Sequence, residues 1–199
     1  RVPARYPHFG PAAAARVPDL PFRLLIGRPA DAGQPPGREG RGCVVVIAAG
    51  NAGRHEVGWP ANIPGVLAVS ATNERDELKT RSSSDGEDFW GSNYGPEISL
   101  AAPGVHNLTT DITGQGGYDP SPYFASFNGT SSATPLVAGA AGLVLSVNSV
   151  LTGNDVKKIL CSTADKRGGK PYSEGRTAEF GFGRLNVLAA VRVAHQSLH

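Results

Sequence analysis

Residues 43–51 read CVVVIAAGN, a run that is apolar up to its closing Gly-Asn pair. Its β-branched residues favour a strand, and apolar residues at both alternating positions indicate burial on both faces. Two similar runs follow, GVLAVSAT at residues 65–72 and ISLAAPG at residues 98–104, the second ended by Pro103. Strands of this kind are typical of a parallel sheet that is covered by helices.

Helical patterns follow the third predicted strand. Residues 133–147 are rich in Ala and Gly and predict a helix that is buried on most sides. TGNDVKKILCSTA, from residue 152, opens another helix, with Thr152 or Asn154 as its N-cap. GFGRLNVLAAVRVAHQ, residues 181–196, predicts a turn and an amphipathic helix, whereas residues 105–128 are predicted to be loop-rich. Alternating strands and helices predict an α/β fold with a mostly parallel sheet.

The composition predicts a soluble globular protein. The chain has 199 residues, 40% hydrophobic residues and a formal net charge of +2, which favours neither nucleic acid nor an acidic partner. Since no apolar run approaches the ~20 residues of a membrane span, no membrane segment is predicted. The two cysteines, Cys43 and Cys161, are predicted to be buried free thiols. The acidic run DGED at residues 85–88 is predicted to be a solvated loop rather than an oxygen cluster for a metal.

The first 42 residues differ from the rest in composition. They hold half of the 16 prolines and no lysine, and they have no apolar period beyond FRLLIG at residues 22–27. We therefore predict an irregular or linker-like segment at residues 1–42 and a folded domain at residues 43–199. The start has no apolar core of a signal peptide, and the chain contains no Met, so we expect a processed piece or a fragment.

The stretch FNGTSSATPLVAG, residues 127–139, places a serine at a predicted helix entrance. A serine hydroxyl becomes a nucleophile only when a base takes its proton and donors hold the oxyanion. In the first helical turn, unpaired N–H groups and the helix dipole would favour negative charge beside Ser131. Gly129 permits close backbone approach, and Pro135 is expected in the first turn. An ordinary N-cap serine explains the pattern equally well. The small residues expected to bring the helix close to the sheet are Ala138, Gly139, Ala140, Ala141 and Gly142.

Several motifs together resemble one family. GTSSATP resembles the nucleophile motif of the subtilases, the subtilisin-like serine peptidases, with Ser132 where many members carry Met. AAGN, ending at Asn51, resembles the oxyanion segment of that family, and SNYGPEISLAAPG at residues 92–104 resembles the stretch between the two. LTGNDVKKIL and GFGRLNVLAAV match the C-terminal helices. The resemblance runs from about residue 40 to the end and implies a three-layer αβα fold with a mostly parallel sheet, incomplete in this chain.

The resemblance implies the role of each site residue. Ser131 would be the nucleophile, and the Asn51 side chain and the Ser131 backbone N–H would donate to the oxyanion. Ala48, Ala49 and Gly50 would form one wall of the pocket for the substrate residue before the scissile bond.

The other two members of a catalytic triad have no counterpart in this chain. Subtilases have the order Asp, His, Ser, and both partners should precede Asn51. Only Asp19, Asp31 and His8 are available upstream, and none has the neighbours that the family motifs require. The chain alone is therefore predicted to be inactive. The remaining histidines are predicted to be surface residues: His55, His106, His195 and His199.

The resemblance implies that no cofactor is required. It also implies one weak cation site. Some subtilases bind a structural cation, possible here as calcium, at positions that match the carbonyls of Ala61, Ile63 and Val66, with Glu97 nearby. Where relatives often have an acid, this chain has Ser99. Hard cations require several oxygen ligands and negative charge, so this difference argues against tight binding.

We therefore interpret the chain as the C-terminal half of the catalytic domain of a serine endopeptidase. Its partner would be a polypeptide substrate, and its location would be extracellular by analogy with the family. Two alternatives stay open: a non-catalytic pseudopeptidase that binds, and a truncated gene-model product.

Overall fold

The computed structural model of the chain describes residues 41–198. Its strands are β1 (Val46–Ala48), β2 (Leu67–Thr72), β3 (Ile98–Pro103), β4 (Asn107–Thr110) and β5 (Tyr123–Phe127). Its α-helices are α1 (Thr130–Val147), α2 (Gly153–Ser162) and α3 (Val187–Gln196), and a 3-10 turn lies at Gly114–Gly116. The three predicted strands and three predicted helices are present, with shorter bounds for the strands.

The main sheet is parallel and has the order β1-β2-β3. All six residues of β2 are buried, and so are the first five of β3, whereas the three residues of β1 are half-buried at one edge. A parallel sheet with helices packed on it confirms the predicted α/β class.

Apolar side chains form two clusters, one on each face of this sheet. The larger cluster joins β2 and β3 to all three helices and includes Val69, Leu100 and Val137. The smaller cluster holds Ile98 with residues of the loop between β1 and β2. A register shift between the pairs of Ala68 and Val69 lets Ile98 and Leu100, two positions apart, reach different clusters.

Helix α1 buries one face and exposes the other. Val137, Ala140 and Ala141 are buried against the sheet, but Leu136 and Leu143 are 43% and 52% exposed. The prediction of burial on most sides was therefore wrong for the described residues, and Ala138, Gly139 and Gly142 are exposed instead of contacting the sheet. By length and composition alone α1 could span a membrane. Core helices of soluble proteins have the same length and composition, and the inner face of α1 packs in the larger cluster.

Helix α2 begins at the cap that the sequence predicts. The Thr152 hydroxyl accepts from the Asp155 N–H, and the Asp155 carboxylate accepts from the Thr152 N–H, which completes a capping box. Helix α3 is capped by Asn186, whose side chain accepts from the Ala189 N–H. Of the two candidates for the α2 cap, Thr152 is the one used.

Residues 105–128 contain regular structure that the sequence analysis did not predict. Strands β4 and β5 pair antiparallel as a hairpin with a long connection. Both strands are mostly exposed, so no apolar alternation marks them in the sequence.

Two further predictions were wrong at single residues. Cys43 is exposed, because the strand begins only at Val46, whereas Cys161 is buried as predicted. Burial raises the pKa of the Cys161 thiol to about 11. The side chain of Asp85, expected in a solvated loop, is buried and forms an ion pair with the buried side chain of Lys79, 3.0 Å from Nζ to Oδ1.

The histidine prediction holds within the described residues. His55, His106 and His195 are exposed. His199 lies outside the described residues.

Candidate functional site at the entrance of helix α1

Ser131 is the second residue of α1 and is exposed. The helix begins at Thr130, three residues earlier than predicted, and Gly129 is its N-cap, with φ 111° and ψ 165°. Pro135 therefore lies beyond the first turn, contrary to the prediction. Because proline has no N–H, the carbonyl of Ser131 lacks the helical donor four residues ahead.

Asn51 lies in the loop after β1 and contacts the residue that precedes Ser131. Its Oδ1 accepts from the backbone N–H of Thr130 at 2.8 Å and from the Thr130 hydroxyl at 2.9 Å. The Thr130 hydroxyl in turn accepts from the Gly50 N–H at 3.1 Å. Strand β1 and helix α1, which are far apart in sequence, are therefore joined at the predicted site.

Two N–H groups lie beside the space that the missing side chain of Gly129 leaves open. A Cβ built on Gly129 would lie 3.2 Å from Asn51 Nδ2 and 3.5 Å from the backbone nitrogen of Ser131. The Asn51 amide nitrogen faces this space because its oxygen is turned to Thr130. The structure thus brings Asn51 and Ser131 together around Gly129.

Thr130 is a site residue that the sequence analysis missed. It is buried, and its hydroxyl takes part in both hydrogen bonds that fix the Asn51 side chain relative to Gly50. The available signal was its position directly before the serine in the GTSSATP motif.

The predicted wall residues lie where β1 ends. Ala48 is half-buried and Ala49 is buried in the smaller apolar cluster. Gly50 has φ +104°, and a Cβ there would come within 2.6 Å of Asn93 Nδ2. Asn93 fixes this segment, since its Nδ2 donates to the Ala49 carbonyl at 3.1 Å. Gly50 is therefore required both by the backbone angle and by the approach of Asn93.

Two of the predicted cation ligands accept hydrogen bonds from the protein itself. The Val66 carbonyl accepts from the Lys157 ammonium at 3.1 Å, and the Ile63 carbonyl accepts from the Val66 N–H at 3.2 Å. Ala61 is buried, and Glu97 is exposed. Among residues 41–198, no group of three or more His, Cys, Asp or Glu side chains could hold a metal ion.

The upstream candidates for a base and its partner, His8, Asp19 and Asp31, lie outside the described residues. Within residues 41–198, no histidine is hydrogen-bonded to the Ser131 hydroxyl.

A cleft of about 550 Å³ lies elsewhere and contains none of the predicted site residues. Its lining is charged, but the charges are paired: Asp76 contacts Arg184 at 2.6 Å, and Lys170 forms an ion pair with Glu179. The Lys166 ammonium donates to the backbone carbonyls of Gly175 and Phe182. Paired side chains at an exposed rim do not indicate a second catalytic centre.

Known proteins resemble this chain over most of its length. Residues 29–183 match the model of the Subtilase family. A calcium-dependent protease from Trichormus variabilis is 39% identical over 79% of the chain and 26% of its own length. Subtilisin DY from Bacillus licheniformis is 38% identical over 76% of the chain and 47% of its own length. A solved protease structure from Pseudoalteromonas arctica superimposes with a TM-score of 0.61 at 29% identity, covering 79% of this chain and 44% of that one. The chain thus spans less than half the length of these relatives.

Proposed function

Because the chain belongs to the subtilase family, we propose that it forms the C-terminal part of the catalytic domain of a serine endopeptidase. Ser131 would attack a peptide carbonyl and form an acyl-enzyme. Asn51 Nδ2 and the Ser131 backbone N–H would donate to the oxyanion.

The observation that supports this proposal most directly is the convergence of two donors beside Gly129. Asn51 Nδ2 and the Ser131 nitrogen lie 3.2 and 3.5 Å from the position of an added Cβ at Gly129. An oxyanion hole needs preorganised donors aimed at one point where negative charge develops. The bonds from Asn51 Oδ1 to Thr130 supply that preorganisation, since they leave the amide N–H groups of Asn51 for another acceptor.

The chemical steps follow from these positions. As the Ser131 oxygen bonds to the substrate carbonyl carbon, its proton passes to a general base, and the carbonyl oxygen becomes the oxyanion. The same base then protonates the leaving amine, and water hydrolyses the acyl-enzyme by the reverse sequence. Ala48, Ala49 and Gly50 would flank the substrate residue before the scissile bond.

The general base and its carboxylate partner would come from residues outside 41–198. Without them, the chain alone is predicted to be inactive, because the oxyanion hole and substrate binding leave only ~10³–10⁴-fold catalysis over water in enzymes of this kind. Polypeptides are the proposed substrates.

The test compares three variants of the complete protein that carries this chain. Ser131→Ala should abolish hydrolysis of a chromogenic peptide. Asn51→Asp keeps an oxygen for Thr130 but replaces the N–H donor by a carboxylate oxygen, so it should lower kcat while the unfolding midpoint stays close to that of the wild type. Removing the corresponding asparagine of a subtilisin lowers kcat by about 10²–10³-fold, and we expect a loss of that order.

Gly129→Ala provides the independent check on geometry. The added methyl group would enter the space between the two donors and would also strain a backbone at φ +111°. We expect a loss of kcat comparable to that of Asn51→Asp. Full activity in either Ser131→Ala or Asn51→Asp would contradict the proposal. A complete protein that binds peptides without hydrolysing them would favour the pseudopeptidase alternative.

A further inference from the structure

A loop between Lys79 and Trp90 is folded around its own buried ion pair. Lys79 Nζ contacts Asp85 Oδ1 at 3.0 Å and donates to the backbone carbonyls of Thr80 and Glu87, each at 2.6 Å. Although burial pushes the pKa of Asp85 upward, hydrogen bonds from Ser83 and Lys79 hold it below its ordinary value. The backbone of Glu87 is therefore fixed by a charged group that is itself shielded from water.

The side chain of Glu87 is held at both of its oxygens. Oε2 accepts from the indole N–H of Trp90 at 2.6 Å, and Oε1 accepts from the Asn128 amide at 2.5 Å. His106 Nε2 lies 3.3 Å from Oε1. Hydrogen bonds to an ionised carboxylate are about twice as strong as neutral ones, so Glu87 is a firm attachment point for Asn128.

The side chain of Asn128 makes a second hydrogen bond, which would break if the side chain rotated away from Glu87. Its Oδ1 accepts from the backbone N–H of His106 at 2.7 Å, while its Nδ2 donates to Glu87. The next residue, Gly129, donates its N–H to the Gly104 carbonyl at 2.9 Å. The segment before Ser131 is thus held by Glu87 on one side of Gly129 and by Asn51 on the other.

We propose that Glu87 is a positioning residue for the nucleophile segment. It fixes Asn128, which sets the backbone direction at Gly129 and hence the direction of the Ser131 N–H. This inference rests on the proposed function, because it assigns to Glu87 the alignment of an oxyanion donor. A residue of this kind affects the chemical step and leaves substrate binding largely unchanged.

The test uses Glu87→Gln in the complete protein, with the neighbouring exposed carboxylate as control through Asp88→Asn. A glutamine can still accept from Trp90, but its NH₂ group would face the NH₂ group of Asn128. We expect Glu87→Gln to lower kcat at least about tenfold with KM within about twofold, since small misplacements of reacting groups have large effects on rate. Asp88→Asn should leave both constants unchanged.

Two further measurements keep the inference testable. Asn128→Ala removes the same contact from the other side, so the double variant should be no slower than the slower single variant. If the complete protein hydrolyses no peptide, the NMR signals of the Trp90 indole N–H and the Asn128 amide still test the contact. Both signals should shift in Glu87→Gln and stay in place in Asp88→Asn. An unchanged kcat in Glu87→Gln, or an unchanged Asn128 signal, would overturn the inference.

A second, independent observation concerns the carbonyls at which the family resemblance placed a cation. Lys157 Nζ donates to the Val66 carbonyl at 3.1 Å. The Arg176 guanidinium donates to the carbonyls of Pro96 and Ile98, each at 2.8 Å. Burial lowers the pKa of Lys157. Lys157 therefore supplies positive charge to the Val66 carbonyl, which is one of the predicted ligands, and Arg176 supplies it to the carbonyls on either side of Glu97.

We infer that Lys157 and Arg176 replace a metal cation at this place. A divalent cation beside them would meet like charges, while Ser99 offers a neutral hydroxyl where an acid would be needed. The stability of this region is then independent of calcium, although one relative is named a calcium-dependent protease.

The test measures the melting temperature of the complete protein in calcium and in chelator. Lys157→Gln combined with Ser99→Asp removes the ammonium and adds a carboxylate. Calcium should therefore raise the melting temperature of this double variant more than that of the wild type. Lys158→Gln combined with Ser99→Asp, which alters the exposed neighbouring lysine, should leave the increment unchanged. Equal increments in the two double variants, or calcium-dependent NMR shifts at Val66 and Ile98 in the wild type, would overturn the inference.

Discussion

Strands β1 and β2 have the same kind of sequence but different surroundings. Both are short apolar runs, yet β2 is buried at all six positions and β1 is half-buried at all three. Val46 and Ile47 of β1 pack on different apolar clusters, so the strand contacts apolar side chains on both faces of the sheet. Its sequence is that of a central strand, although within residues 41–198 it has a neighbour on one side only. This difference agrees with a chain that spans less than half the length of its relatives.

The largest expected effect compares two valines of the larger cluster. Val69→Ala in β2 removes a fully buried side chain and should lower the free energy of unfolding by about 2–3 kcal/mol. Val46→Ala in β1 removes a half-buried one and should cost about 1 kcal/mol. Denaturant unfolding of both variants measures the two values. Equal costs would show that β1 is covered on its open side in solution.

A smaller effect is expected at the turn after β2, where Glu77 is exposed. Hydrogen bonds from Ser84 and Asn73 lower the pKa of Glu77 from 4.5 to about 2. Because the folded state favours the ionised carboxylate, the stabilisation is complete above pH 4.5 and is lost as the pH falls toward 2. Melting temperatures between these pH values should fall less in Glu77→Gln than in the wild type. Glu74→Gln, on the same turn, is the control, and an equal change in both variants would exclude the assignment.

The smallest effect is expected at the end of β2. Thr72 is fully buried, and its hydroxyl has no hydrogen-bond partner within residues 41–198. Thr72→Val replaces that hydroxyl by a methyl group, so it should leave the free energy of unfolding unchanged or raise it by about 1 kcal/mol. A loss of more than about 1 kcal/mol, measured by denaturant unfolding, would mean that the hydroxyl has a partner after all.

The sequence was sufficient for elements whose signals are local. The strands follow from runs of β-branched residues, and the sequence reduced the cap of α2 to Thr152 or Asn154, of which the structure uses Thr152. The hairpin of β4 and β5 was missed because no residue of either strand is buried and no apolar alternation marks them in the sequence. The buried pair of Lys79 and Asp85 was missed because charged residues in a polar run indicate solvent, and only the folded loop brings them together.

For the candidate site too, the sequence predicted the residues but not the long-range contacts between them. The motifs identified Ser131 and Asn51 as candidates, and the structure places both beside Gly129. Asn51 is oriented by Thr130, 79 positions away, and the neighbouring Ala49 and Asn128 are held by Asn93 and Glu87 at separations of 44 and 41 positions. Sequence periodicity does not predict contacts between residues so far apart in the chain, because such contacts depend on the packing of whole elements.

The hydrogen bonds between Asn51 and Thr130 also determine when the site can exist during folding. They join residues 79 positions apart, so they form only after β1 and α1 have docked on the same sheet. Contacts of such long range form late, since the loop-closure entropy must be overcome first. A nascent or partly unfolded chain therefore carries Ser131 without an oriented Asn51. In a peptidase, that order would protect neighbouring unfolded polypeptides, including other copies of the chain, from cleavage until folding is complete.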